Sequence, residues 1–292
     1  MTSGRLSCMS MRLQGISPGL GNNTGMIIVR IKFGYLLFLA FLAVAFFYSL
    51  GSAGAQEGGV VVFSKLIEGP VPADDPWSAL WNQSQAVEFP LSGQVHWEPR
   101  LLLPTVTSVK ARSLHNGADL AILLEYPDPE QDSTDAAAIE FPTGEEKAHF
   151  AHGQPMLQVE GGPVNIWFWK GDQTQDLNAK GFGTLTAQAQ QDVRGKGVWK
   201  DGMWRVAFSR KLQTGDQKDV QITAGEFKQI AFAIWEGSKG EQGSRKSVSS
   251  WWYFRAEPPP DHSIWVYTLI AVAGAVVFEI VLVRRVRKKV KV

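Results

Sequence analysis

Between residues 56 and 261 the apolar positions come in short alternating or continuous runs, and almost no stretch holds the 3.6-residue period of an amphipathic helix. Runs at 60–63, 86–91, 106–112, 120–125, 136–141, 164–169, 198–200, 203–208, 227–235 and 248–255 each predict a strand. Two turns are marked chemically. Asn116-Gly117 and Asp201-Gly202 supply the residues that accept positive φ in a tight hairpin. Residues 74–81 read as a polar-aromatic link with one helical turn. Residues 171–196, rich in Gln, Gly, Asp and Thr, carry no apolar period and predict a long surface loop. The pattern predicts an all-β fold, an antiparallel β-sandwich without internal repeats.

The ends break this pattern. From Met26 the chain reads as a secretory leader, with Arg30 and Lys32 before an apolar core at 36–50 and a small-residue cleavage motif, Ala53-Gly54-Ala55, ahead of Gln56. Residues 1–25, polar and glycine-rich, are assigned no structure. Residues 264–283 form an apolar run long enough to span a bilayer, with Trp265 and Tyr267 at one interface. Arg284, Arg285, Arg287, Lys288, Lys289 and Lys291 follow, which places the C-terminus in the cytoplasm. Glu279 lies near the basic end and reads as a tolerated edge charge. The expected layout is a leader and extension at 1–55, a sandwich at 56–256, a proline-rich spacer at 257–263, a membrane helix at 264–283 and a basic tail at 284–292. The sandwich would then lie on the periplasmic face of a bacterial cytoplasmic membrane.

Charge and cysteine content narrow the chemistry. Residues 56–261 hold 19 basic and 27 acidic residues, a net of −8, although the whole chain is +1. An acidic domain argues against nucleic acid and permits docking to a basic protein. The single cysteine, Cys8, precedes the sandwich, so that domain has no disulfide, no thiolate-bound cluster and no Cys-x-x-Cys-His haem attachment. No nucleophile–base arrangement can be defended near Ser249 and Ser250, and His149 and His152 read as loop histidines. Two loops are more informative. Met156 sits among Pro155, Gly161, Gly162 and Pro163, and the strand after it carries Trp167 and Trp169. Lys246 precedes Trp251-Trp252-Tyr253-Phe254. These tryptophans read equally as core or as a wall for a flat ligand such as a sugar ring or porphyrin. A thioether is a soft ligand suited to haem iron, and a lysine ligates only as the neutral amine. On residues alone, a packing methionine and a surface lysine remain open beside that reading.

The runs Pro163-Val-Asn-Ile-Trp-Phe-Trp-Lys170, Ala231-Phe-Ala-Ile-Trp-Glu-Gly237 and Gly243-Ser-Arg-Lys-Ser-Val-Ser-Ser-Trp-Trp-Tyr-Phe254 resemble the haem-binding domain of the ethylbenzene dehydrogenase type. That domain is the gamma subunit of molybdoenzymes of the dimethyl sulfoxide reductase family, including ethylbenzene, dimethyl sulfide, selenate, chlorate and nitrite-oxidising enzymes. The resemblance covers roughly residues 57–256. It implies one non-covalent haem b held between an axial methionine, matched by Met156, and an axial lysine, matched by Lys246. Trp167, Trp169 and Trp251 would wall the cofactor. Met203, His149 and His152 are the alternatives at the methionine position, where Leu157 follows in place of the usual glycine. The implied role is non-catalytic electron transfer. Electrons would pass between an iron–sulfur beta subunit, partnered with a molybdenum-containing alpha subunit, and a soluble or membrane carrier. The competing expectation is a surface-tethered carbohydrate-binding module, or a haem-free anchoring subunit.

Overall fold

The computed structural model describes residues 60–144, 162–181 and 183–290. The leader and the segment with His149, His152 and Met156 lie outside the described residues.

The strands are β1 (Val61–Leu66), β2 (Val87–Pro90), β3 (Ser92–Gly93), β4 (Ser108–His115), β5 (Asp119–Pro127), β6 (Ala136–Pro142) and β7 (Val164–Lys170). They continue with β8 (Gln173–Ala179), β9 (Thr186–Ala187), β10 (Arg194–Lys200), β11 (Met203–Lys211), β12 (Phe227–Trp235), β13 (Ser247–Val248) and β14 (Trp252–Ala256). Helix α1 (Ser263–Val290) follows. The main path of pairing is β10-β11-β5-β4-β1-β14-β12-β6-β7-β8-β9. One strand, β12, serves both layers. Its first half pairs with β14 from Phe227↔Arg255 to Ile230↔Trp252, and its second half pairs with β6 from Ala231↔Glu140 to Trp235↔Ala136.

The layers pack face to face through alternate residues of each strand, since side chains i and i+2 share a face. Leu120, Ile122, Leu124 and Tyr126 of β5 belong to one core with Ile139 and Phe141 of β6, Trp167 and Trp169 of β7 and Phe232 of β12. Trp169 meets Trp204 of the opposite layer edge-on, with ring centroids 4.9 Å apart. Glycine on β10 makes room for it, because a Cβ at Gly197 would lie 2.1 Å from the Trp169 ring.

The expected sandwich is present, and Asp201 and Gly202 both take positive φ at the β10–β11 hairpin. Two features depart from the expectation. The first strand, β1, runs parallel to both neighbours, β4 and β14. Residues 171–196 are also not one continuous loop: β8, β9 and the start of β10 fall within them. Their polarity hid the strands. The core-side residue of β8 is Asp176, which accepts hydrogen bonds from the Asn165 and Gln188 amides. Gln188 also donates to Asp219 (3.0 Å), and the fully buried Arg210 pairs with Asp219 at 3.3 Å while bonding Asn165 Oδ1 at 3.0 Å. A strand whose inner face serves a buried polar network has no apolar alternation to read.

Helix α1 has 28 residues, about 42 Å at 1.5 Å per residue, enough to cross a hydrocarbon core of about 30 Å. Ile264, Trp265, Tyr267, Leu269 and Phe278 are exposed along it.

Candidate functional site

The outer face of the β12-β6-β7-β8 layer is the floor of a cavity of about 430 Å³. Its residues are set by the same alternation that fills the core. On β6, Ile139 and Phe141 point inward while Ala136, Ala138 and Glu140 point out. On β7, Trp167 and Trp169 point inward while Val164, Ile166, Phe168 and Lys170 point out. Cross-strand register then assembles the floor in rows. Ala138 lies between Ala233 and Phe168, and Glu140 lies between Ala231 and Ile166. Alanines along the middle of the floor keep it low, so a flat ligand can lie close to the backbone. Phe168 and Trp235 close one side, 5.4 Å apart and nearly perpendicular.

The loop from Glu241 to Lys246 borders the cavity, as do Trp97, Trp251 and residues of the β8–β9 connection. Gln94, which is buried, holds two of these segments together. Its amide donates to the Trp97 and Ser244 carbonyls (2.8 and 2.9 Å), its carbonyl accepts from Trp97 N (2.8 Å), and its own N–H donates to Lys246 O (2.9 Å). Trp235 Nε1 donates to Gly243 O at 2.9 Å, and Gly243 turns the loop with a φ of +59° that a side chain would oppose. Immediately after Lys246, β13 is clamped between β12 and β3 (Ile234↔Ser247, Ser247↔Gly93). Lys246 is therefore held from both sides along the backbone.

Its amine lies 5.0 Å from the centre of the Trp235 ring, within the cavity. Burial lowers the Lys246 pKa below the ordinary lysine value, against the pull of Glu140. Burial raises Glu140 to about 7, partly offset by Lys246. Burial thus shifts both groups toward their neutral forms, and their mutual attraction offsets it only in part. Neutral amine is more accessible here than on a surface lysine.

Of the residues singled out in the sequence, the structure brings Lys246 and Trp251 to the cavity. Trp167 and Trp169 are placed elsewhere: both are fully buried between the layers, Trp167 donating to Asn165 Oδ1 (3.0 Å) and packing on Phe141. Strand parity is the reason, since odd positions of β7 face the core. Met203 is half-exposed and opens β11. Met156 is outside the described residues; in the chain it falls in the connection from β6 to β7, and Gly162, where that connection ends, lines the cavity. Glu140, Gln94, Trp235 and the alanine floor were not anticipated. Glu140 was visible in principle, since in Ala136-Ala-Ala-Ile-Glu-Phe141 it shares the phase of the alanines and opposes Ile139 and Phe141.

Residues 181–247 match the family described as Ethylbenzene dehydrogenase. A Haloferax mediterranei protein provisionally named respiratory nitrate reductase heme subunit ORF7 is 30% identical over 219 residues, covering 71% of this chain and 77% of that protein. The chain belongs to the ethylbenzene dehydrogenase-type gamma-subunit family. The chlorate reductase gamma subunit of Ideonella dechloratans is 26% identical over 70% of this chain and 90% of its own. The dimethylsulfide dehydrogenase gamma subunit of Rhodovulum sulfidophilum is 29% identical over 47% of this chain and 56% of its own. Among solved structures, a family 9 carbohydrate-binding module of Caldicellulosiruptor kristjanssonii in complex with glucose aligns with 69% of this chain and 98% of its own, at 9% identity and a TM-score of 0.40. That likeness carries no argument about ligands.

Proposed function

We propose that the protein is a membrane-anchored electron-transfer subunit whose cavity above β6 and β7 would hold one b-type haem, with Lys246 and Met156 as the side chains that would ligate its iron. The observation that carries this reading is the Lys246 amine inside an aromatic cavity, beside the Trp235 ring and fixed by the Gln94 and β13 contacts. The donor set fits. Desolvation readies Lys246 as a neutral ligand, the alanine floor admits a planar ring, and Trp97, Trp235 and Trp251 keep water from it. Lys170 and Lys180 at the lining supply cationic groups for acidic substituents. A haem whose iron is ligated by two protein side chains would supply one-electron exchange without substrate binding. The names of the Haloferax, Ideonella and Rhodovulum relatives support a place in a multi-subunit oxidoreductase. In that reading an iron–sulfur beta subunit exchanges electrons with this chain, and a molybdenum-containing alpha subunit performs the substrate chemistry. Helix α1 holds the sandwich at the outer face of the cytoplasmic membrane, with the basic tail inside.

The test is an absorption spectrum of the detergent-solubilised full chain expressed with haem available. A Soret band that sharpens, with distinct α and β bands on dithionite reduction, is expected. Lys246→Ala and Met156→Ala should each abolish the low-spin spectrum while circular dichroism stays that of a β protein, and His152→Ala should not. A colourless, folded wild-type protein overturns the reading.

A further inference from the structure

A second cluster lies at the other end of β6. Asp128 and Asp135 flank the loop between β5 and β6, and Glu236 follows β12 directly. All three are buried, at 0%, 0% and 1% exposure, and an oxygen from each carboxylate lies within 4.8 Å of the others. Local donors satisfy part of this oxygen surface. Gly237 N and Trp204 Nε1 donate to Asp135 (both 2.9 Å), Lys239 N to Glu236 (2.9 Å) and Glu130 N to Asp128 Oδ1 (3.1 Å). Asp128 Oδ2 is left buried and without a hydrogen-bond partner among the described residues.

A different residue lies within electrostatic reach of the same carboxylates. Tyr126 is fully buried, and its hydroxyl also makes no hydrogen bond among the described residues. It lies two residues before Asp128, at the end of β5. Its cross-strand neighbour is Trp204, whose indole reaches Asp135. The charges acting on Tyr126 are those of Asp135, Asp128 and Asp132. One carboxylate oxygen, Asp128 Oδ2, and the nearby Tyr126 phenol are thus buried without the hydrogen bonds that buried polar groups require.

We propose that Asp128, Asp135 and Glu236, with the Tyr126 hydroxyl, form a calcium site. The donors are all oxygen, which selects a hard cation over zinc or copper, and neither histidine nor cysteine is in the cluster. A buried set of protein oxygens suits calcium, which takes its ligands at about 2.3–2.6 Å in flexible geometry, better than magnesium, which keeps several of its waters. The ion would tie the β5–β6 loop to the end of β12. Those segments carry Ala136 and Trp235 of the cavity, but the site uses none of the haem-binding side chains.

The test uses the detergent-solubilised full chain stripped with EGTA. Added calcium should raise the thermal midpoint by several degrees, and magnesium at equal concentration should raise it less. Terbium bound at the site should luminesce on tryptophan excitation, through Trp204, and calcium should quench that signal by displacement. Asp128→Asn should lose both responses, and Glu236→Gln serves where that variant does not fold. No response in the wild type, or an undiminished response in the variants, overturns the proposal. Haem-free and haem-loaded preparations should respond alike, which separates this result from the haem reading.

Discussion

Asp176 shows what a buried polar residue does to a strand and to the pH response of the fold. Burial raises its pKa to about 7, while Asn165, Arg210 and Gln188 hold it down from going further. The folded chain therefore binds this proton more firmly than the unfolded chain. Its contribution is most favourable below the unfolded value near 3.8 and is lost as pH rises toward about 7. Urea midpoints measured across pH 4–8 should fall over that window in the wild type, and Asp176→Asn should flatten that part of the profile. At the same scale, Lys246 was legible in the sequence only through the motif around it. Gln94 had no local signature, and Glu140 showed only the phase it shares with the alanines of β6, not its place on a cavity floor. Their roles arise from partners roughly 150 and 106 residues away in the chain, contacts that only the assembled sheets create.

At the level of elements, strands with apolar alternation and strong turn chemistry could be read directly. β12 occupies 227–235 as expected, and the hairpins at Asn116-Gly117 and Asp201-Gly202 join β4 to β5 and β10 to β11. The illegible part is β8 to the start of β10. There the inner residues are Asp176, Gly195 and Gly197, chosen for a polar network and for the Trp169 ring rather than for hydrophobicity. Gly197 gives the sharper test. A methyl group there collides with an indole that is itself locked against Trp204, so neither can yield cheaply. Gly197→Ala should cost about 1–3 kcal/mol by denaturant unfolding, the usual range for overpacking a filled core. A neutral outcome would mean that the β10 backbone can move away from β7.

For the whole molecule, the sandwich and α1 are separable in chemistry. A chain of residues 56–261 lacks the exposed apolar helix and should be recovered in the soluble fraction after cell lysis, whereas the full chain should sediment with membranes. The motif-bearing half of the site, from β12 to β14, follows the chain closely, which is why its resemblance to a family could be recognised. The cavity also needs β6, β7 and β8, and its wall was misjudged because parity sends Trp167 and Trp169 inward.

The parallel pairing of β1 with β14 has a consequence in time. The first strand of the domain has its partner at Val61↔Tyr253, almost two hundred residues downstream, so emergence from the ribosome leaves β1 waiting on that edge until nearly the whole domain has been made. Such long-range closure places the protein among slow-folding β topologies, in the millisecond-to-second class. Only six residues separate β14 from α1. The last strand needed to complete the sheet is synthesised just before the segment that would arrest the chain in a bilayer, so closure of the sandwich and anchoring compete for the same few seconds of the protein's life.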